Sequence, residues 1–444
     1  MTEPKKSGGL DRFLSHPWFY LIFTLIAIRA NDLKKAEKAL CSLTGLSGAF
    51  PALRVLLWAL CAAVLGMYIY RWCAGQIQRR QPLLWCFLGM HGMLILMTII
   101  YRGASGYWLH WTAGLCLMLV LDMGLQRERQ SLLNGISLAF LLWVACNIPV
   151  RLLWPAGLNA AEAVLPEWYL EIVENAAELF APEWLIGNRV FYYRIALPAL
   201  MLEMVRAQAC DGKYGPRTAL AFLLVAVTVV LQRGGTAMLG FALLLCMILF
   251  FNRRALPRWA TPAAMLGFSA ALFIGIYYFH VQELFAVLIE RGLGKDTDLT
   301  ARVYIWEKAM DIVGRYPLTG VGLLPVEYTR QLFGGSAEQP FNHTHNQLLE
   351  ILMHGGVLAL LPYLGMAYLS SREVLRHRRS AAVKNAALLL MVFLFMGTVD
   401  NFHNEPIFYP LFMLCYRAGD LAEGGKKLPR ISAVERIKRD IRKR

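Results

Sequence analysis

The run Asn342-His343-Thr344-His345-Asn346-Gln347-Leu348-Leu349-Glu350 sits where a polar stretch gives way to an apolar one. An imidazole at such a boundary can carry a proton near neutral pH, because its unperturbed pKa is about 6.5. Arg233 and Arg302 also fall at expected membrane edges, and Asp400 closes a later apolar run. A histidine beside two permanent positive charges is equipped for acid–base chemistry on an anionic, lipid-linked substrate. Each residue also has a plainer reading. His345 would cap a helix or bond the backbone, Arg233 would snorkel to headgroups, and Arg302 would pair with Glu307 or Asp298. Asp400, with His403 and Glu405 nearby, would be an ordinary loop acid. Arg189 and Arg194 flank another helix end, as phosphate contacts or as anchors. His343, two residues from His345, is expected to face away from it.

Positioning these groups falls to apolar elements. Of 444 residues, 57% are apolar and only 17% charged, whereas soluble domains are roughly a quarter charged. Apolar blocks of roughly 15–22 residues recur, near the ~20 that a hydrocarbon core of ~30 Å demands of a helix. Alternating barrel strands are absent, and helices are the other way to satisfy a backbone in lipid. The expected fold is an all-α polytopic membrane protein, one membrane domain over 1–444, with about twelve spans. The first five lie near Phe13–Ile28, Ala52–Tyr70, Pro82–Ile100, Tyr107–Met123 and Leu132–Leu153. Val190–Val205, Thr218–Leu231, Thr236–Phe251 and Ala263–Phe279 follow, then Asn346–Ser370, Ala386–Val399 and Pro406–Leu421.

The formal charge of +15 resides in short inter-span loops and in a basic tail over 422–444. That pattern fits topology and anionic headgroups, not nucleic acid. Loops bearing Arg71/Arg79/Arg80, Arg127/Arg129, Arg206/Lys213/Arg217, Arg253/Arg254/Arg258 and Arg372 through Lys384 alternate with the others. The positive-inside rule makes their side cytoplasmic and puts both termini there. The loop Arg29–Phe50, with Lys34, Lys35 and Lys38, is the exception, and the N-terminal run reads as an uncleaved first span. The opposite face, periplasmic or extracellular, receives a glutamate-rich loop over 154–188 and a large loop over 280–345. Within the latter, Val303, Trp306, Met310 and Val313 recur at helical spacing, and Pro317 to Gly322 reads as a tight turn. The nine cysteines form no CxxC pair or zinc spacing and read as small core hydrophobes. Asp296-Thr-Asp298 is the nearest approach to a DxD metal pair and reads as a helix entry. No metal and no cofactor are expected.

Three segments together resemble the O-antigen ligase and polymerase superfamily: Thr300-Ala-Arg302-Val-Tyr-Ile-Trp306, Tyr316-Pro-Leu-Thr-Gly-Val-Gly322, and His345-Asn346 followed by Gly356. The turn Gln232-Arg233-Gly234 is similar to that family's arginine-bearing turn, with Gln232 where serine is more common, and Ala359 departs from its glycine pattern. The resemblance covers about Arg233 to Asp400. It implies a metal-independent membrane glycosyltransferase of the bacterial inner membrane, working at the periplasmic face. The donor would be a glycan on undecaprenyl pyrophosphate; the acceptor would be a lipid A-core sugar or a second lipid-linked glycan. His345 matches the catalytic histidine, Arg233 and Arg302 the pyrophosphate-contacting arginines. Asp400, Arg189, Arg194 and His343 are supporting candidates.

A ligase and a polymerase share this donor chemistry and differ in the acceptor. A lipid-linked oligosaccharide flippase is the rival from another class, but it predicts ionisable groups at mid-membrane and paired half-repeats. Here the candidates lie at the boundary and no repeat is visible.

Overall fold

The computed structural model describes residues 16–29, 49–78, 81–103, 108–158, 183–188, 191–232, 234–251, 255–281, 283, 302–325, 328–329, 331, 333 and 343–423. Arg189, Arg233, Asp298, most of the first outer loop and part of the second fall outside these residues, as does the basic tail beyond 423.

A helix forms at every expected apolar stretch. These are α1 Pro17–Arg29, α2 Ala49–Cys73, α3 Pro82–Ile100, α4 Trp108–Arg127 and α5 Arg129–Leu153, then α6 Tyr193–Arg206, α7 Pro216–Gln232, α8 Gly235–Phe250 and α9 Pro262–Phe279. The outer helix is α10 Arg302–Arg315, followed by α11 Gln347–Arg376, α12 Ala381–Met396, α13 Phe408–Tyr416 and the short α14 Ala418–Ala422. Six of them are long and apolar enough to cross a membrane, and four more are shorter apolar helices. This is a multi-pass, mostly helical membrane protein. The only described strands are a hairpin of two-residue strands, Glu183–Trp184 against Gly187–Asn188.

Two of the short helices are central. Almost every residue of α6 and α12 is buried, as expected of helices enclosed on all sides. Helix α6 packs on α5, α7 and α12, α12 on α8, α9 and α13, and α11 on α3, α9 and α13.

Several boundaries differ from expectation. Helix α12 begins earlier, so Lys384 is a buried helical residue whose ammonium donates to the Phe251 carbonyl (3.2 Å) and is not a loop charge. Arg372 and Arg376 likewise belong to α11. Arg206 and Arg217 converge on the fully buried Glu203, at 2.7 and 3.0 Å. A carboxylate at the helix end has drawn these cations out of the solvent-facing loop, since a buried charge needs a partner. The apolar face of α10 is also rotated: Ile305, Trp306, Ala309 and Ile312 are buried, while Val303, Met310 and Val313 pack at its edge.

The span expected at Asn346–Ser370 is two helices joined at Gly356, whose backbone (φ 60°, ψ −164°) is non-helical. That break strands backbone groups, and at this depth something must satisfy them. The segment 317–322 does so. The N–H groups of Val321 and Gly322 donate to the carbonyls of Met353 and His354, both at 2.9 Å. In return Val357 and Leu358 donate to Pro317 (2.9 Å) and Leu318 (3.1 Å). The expected tight turn is therefore an inserted backbone segment. It can approach so closely only because no β-carbon intervenes: one on Gly356 would lie 2.2 Å from the Leu318 carbonyl carbon, and one on Gly320 2.5 Å from that of His354.

Gly356→Ala is accordingly expected to be severe. The backbone region alone costs about 1–3 kcal/mol for a side-chain-bearing residue, and the contact with Leu318 adds to it. The apparent melting temperature of the detergent-purified protein should fall by several degrees; an unchanged value would refute the stitching role given to this glycine.

Candidate active site

The boundary between the outer segment and α11 is fixed from both sides. Asn346 caps α11 by accepting from the Leu349 N–H (3.0 Å), and its amide donates to the Thr398 carbonyl (3.0 Å). It is Asn346, not His345, that performs the capping. Just upstream, the Glu350 carboxylate accepts from the Thr344 N–H (2.8 Å) and the Thr344 hydroxyl (2.7 Å). From above, the indole N–H of Trp306 donates to the Thr344 carbonyl (2.8 Å). Held on both flanks, His345 adopts a left-handed backbone, φ 50°, which few non-glycine residues do.

This backbone sets the histidine pair. The rings of His343 and His345 lie 3.9 Å apart, tilted by 48°. The expectation that His343 faces away is therefore wrong: residues two apart on an extended segment share a face, and the turn at His345 brings the rings into contact.

Arg302 opens α10, one helical turn before Trp306, so pinning Trp306 to Thr344 also directs the arginine's turn toward the histidines. The guanidinium makes no ion pair with Glu307. Burial pushes its pKa down, and the charges that push it back are Asp400 and Tyr193. His345 in turn is pushed well below the ordinary imidazole value, first by burial, then by His343 and Arg302. Burial likewise lowers His343, while Glu350 and Asp400 oppose the change. These mutual influences bring His345, His343, Arg302, Asp400 and Arg194 into one electrostatic neighbourhood.

Asp400 is no ordinary loop acid. Buried, it accepts from the Tyr193 hydroxyl (2.5 Å) and from Arg194 (2.7 Å). Arg194 also pairs with Glu405 and lies 4.2 Å over the Phe191 ring. With two carboxylates already on it, Arg194 serves chiefly to tie α6 to the loop after α12. Burial raises the pKa of Asp400, but the Arg194 partnership outweighs it and leaves the carboxyl below its usual range.

Sequence reading passed over Glu350, His354 and His403 as site residues. His354 Nε2 meets the Glu350 carboxylate at 3.2 Å while Nδ1 meets the Gly322 carbonyl at 2.6 Å, linking the inserted segment to the histidine turn. Their i,i+4 spacing was the available signal. His403 arrives from the loop after α12, its Nδ1 bonded to Asn401 (2.7 Å) and its pKa pushed down to about 3 by burial. A cavity of about 240 Å³ opens between these groups, lined among others by His343, Glu350, His354 and His403. Among the described residues no group of three or more His, Cys, Asp or Glu side chains is arranged to hold a metal ion.

Residues 218–364 match the family model described as O-antigen ligase. The match over that segment supports a likeness to the O-antigen ligase and polymerase superfamily. The match spans α7 through the break in α11 and so includes Arg302 and the histidine pair. No curated protein matches the chain.

The buried histidines carry a stability consequence. His343, His345 and His403 all bind protons less readily folded than unfolded. As pH falls below the unfolded value of 6.5, the unfolded chain takes up protons that the folded one refuses, and stability present at higher pH is lost. The apparent melting temperature should therefore fall steadily from about pH 7 to pH 5; a flat profile across that window would contradict these environments.

Proposed function

We propose that this protein is an O-antigen ligase. In this reading it transfers a glycan from undecaprenyl pyrophosphate to a lipid A-core sugar hydroxyl at the periplasmic face of the inner membrane. What supports the reading is the electrostatic influence of Arg302 on His345 near the head of α11, inside the segment that matches the family.

The chemistry follows from residue types. A sugar hydroxyl is a poor nucleophile, and a neutral imidazole in hydrogen-bond reach takes its proton as the glycosidic bond forms, worth typically about 10²- to 10⁴-fold. The environment of His345 keeps it neutral at working pH. The nearby Arg302 disfavours its protonated form, and an arriving pyrophosphate offsets that field, making the imidazole more basic when donor is bound. Departing pyrophosphate gains negative charge as its bond breaks. Arg302 and Arg233 hold it through paired, charge-assisted hydrogen bonds and remain protonated throughout. Guanidiniums thus take the part a divalent cation plays elsewhere, and direct displacement inverts the anomeric centre. Asp400, with Arg194, keeps α6 and the loop after α12 at the right distance. A polymerase differs only in the acceptor, a second carrier-linked glycan.

Purified protein in detergent, given the lipid-linked donor and either acceptor, tests the reading. Transfer should occur without a sealed membrane, which a flippase would require, and should survive chelation of divalent ions. His345→Ala should reduce transfer by at least about a hundredfold with unchanged folding; wild-type rates in that variant would remove the base. Arg302→Lys keeps the charge but loses the planar fork, so activity should drop about tenfold or more. A lysine variant as active as wild type would show that a point charge suffices.

A further inference from the structure

The cavity beside the histidine pair is chemically unlike a pyrophosphate site. Its 240 Å³ fall below the ~300–1,000 Å³ of pockets that enclose drug-sized ligands, enough for one sugar ring but not for a carrier-linked diphosphate with its glycan. The Glu350 carboxylate forms part of its wall, and the one arginine among its described lining residues, Arg194, is already paired with Asp400 and Glu405. Among the described residues a diphosphate meets no uncommitted guanidinium in this cavity and one carboxylate.

A neutral polyol finds partners instead. The side-chain oxygen of Asn404 is buried without a hydrogen-bond partner among the described residues. Asn401 has its oxygen taken by His403 and can offer its amide N–H groups. Phe191 and Leu323 supply apolar wall for the C–H faces of a ring. His343 lines the same space, with the tilted ring of His345 beside it at 3.9 Å.

We propose that this cavity is the acceptor subsite. It holds the single neutral sugar residue that bears the attacking hydroxyl, seated between Asn401, Asn404 and Phe191, with that hydroxyl directed past His343 to His345. This rests on the glycan-transfer reading above. In the step, the hydroxyl oxygen forms its bond to the donor's anomeric carbon and its proton passes to the His345 imidazole. The bond from that carbon to the carrier breaks, and pyrophosphate leaves with the electron pair.

The test is steady-state transfer by the full-length detergent-purified protein. The undecaprenyl-pyrophosphate-linked glycan and a lipid A-core acceptor are varied in turn, and melting temperature serves as folding control. Asn404→Leu should raise the acceptor KM by about tenfold or more while leaving the donor KM within about twofold. Asn404→Ser, which keeps an oxygen acceptor, should fall between that variant and wild type. Phe191→Leu gives the same readout should Asn404→Leu fail to fold. A raised donor KM with unchanged acceptor KM would assign the cavity to the donor, and no change in either would leave it without a substrate; both overturn the proposal. Absence of transfer by the unmutated protein is a separate outcome, which removes the glycan-transfer reading and this subsite with it.

Discussion

A break in a helix at Gly356 is the constraint on which the rest of the outer face depends. Opening α11 there leaves carbonyls and N–H groups with no intrahelical partner, and in lipid each such group costs several kcal/mol. The segment 317–322 repays that cost with four backbone hydrogen bonds, two in each direction. Once stitched in place, it fixes the end of α10. Helix α10 then brings Trp306 onto Thr344 and Arg302 toward His345. A glycine in a span is thus connected, through backbone bonding, to the orientation of the histidine pair.

Buried charge is managed differently at the two ends of the bundle. Away from the histidines, Glu203 gathers Arg206 and Arg217, and Asp122 accepts from Arg417 together with Gln81 and Tyr68. These are closed networks, in which each carboxylate is surrounded by donors. Near the histidines the arrangement is divided. Arg194, Asp400 and Glu405 form another closed cluster, whereas Arg302 is half-buried and, among the described residues, Asp400 acts on it only through its field. An arginine whose charge is not consumed by a contacting carboxylate is the one suited to an anionic ligand. That contrast separates Arg302 from Arg194, which the sequence offers only as a supporting candidate.

The lowered imidazole pKa values follow from the same economy. Burial alone disfavours a charged ring, and neighbouring guanidiniums reinforce it. Glu350 opposes the shift for His343 and His345 but spends its oxygens on Thr344 and His354. The result is a group of neutral rings beside positive charge.

How much of this was legible beforehand depends on the length scale of the cause. Apolar runs are local, and lipid admits few alternatives to a helix, so every expected helix is found and the amphipathic α10 is visible in its spacing. The family likeness over 218–364 was likewise legible, because the short motifs around Arg302, Gly320 and His345 are contiguous in the chain. Loop charge served less well: Lys384, Arg206 and Arg217 look like solvent-facing topology markers, and only packing supplies the buried partners that draw them inward. The ring contact between His343 and His345, the capture of Arg194 by Asp400, and the joining of Glu350, His354 and His403 needed the tertiary structure. They unite segments distant in sequence through hydrogen bonds and electrostatic fields that no local pattern records.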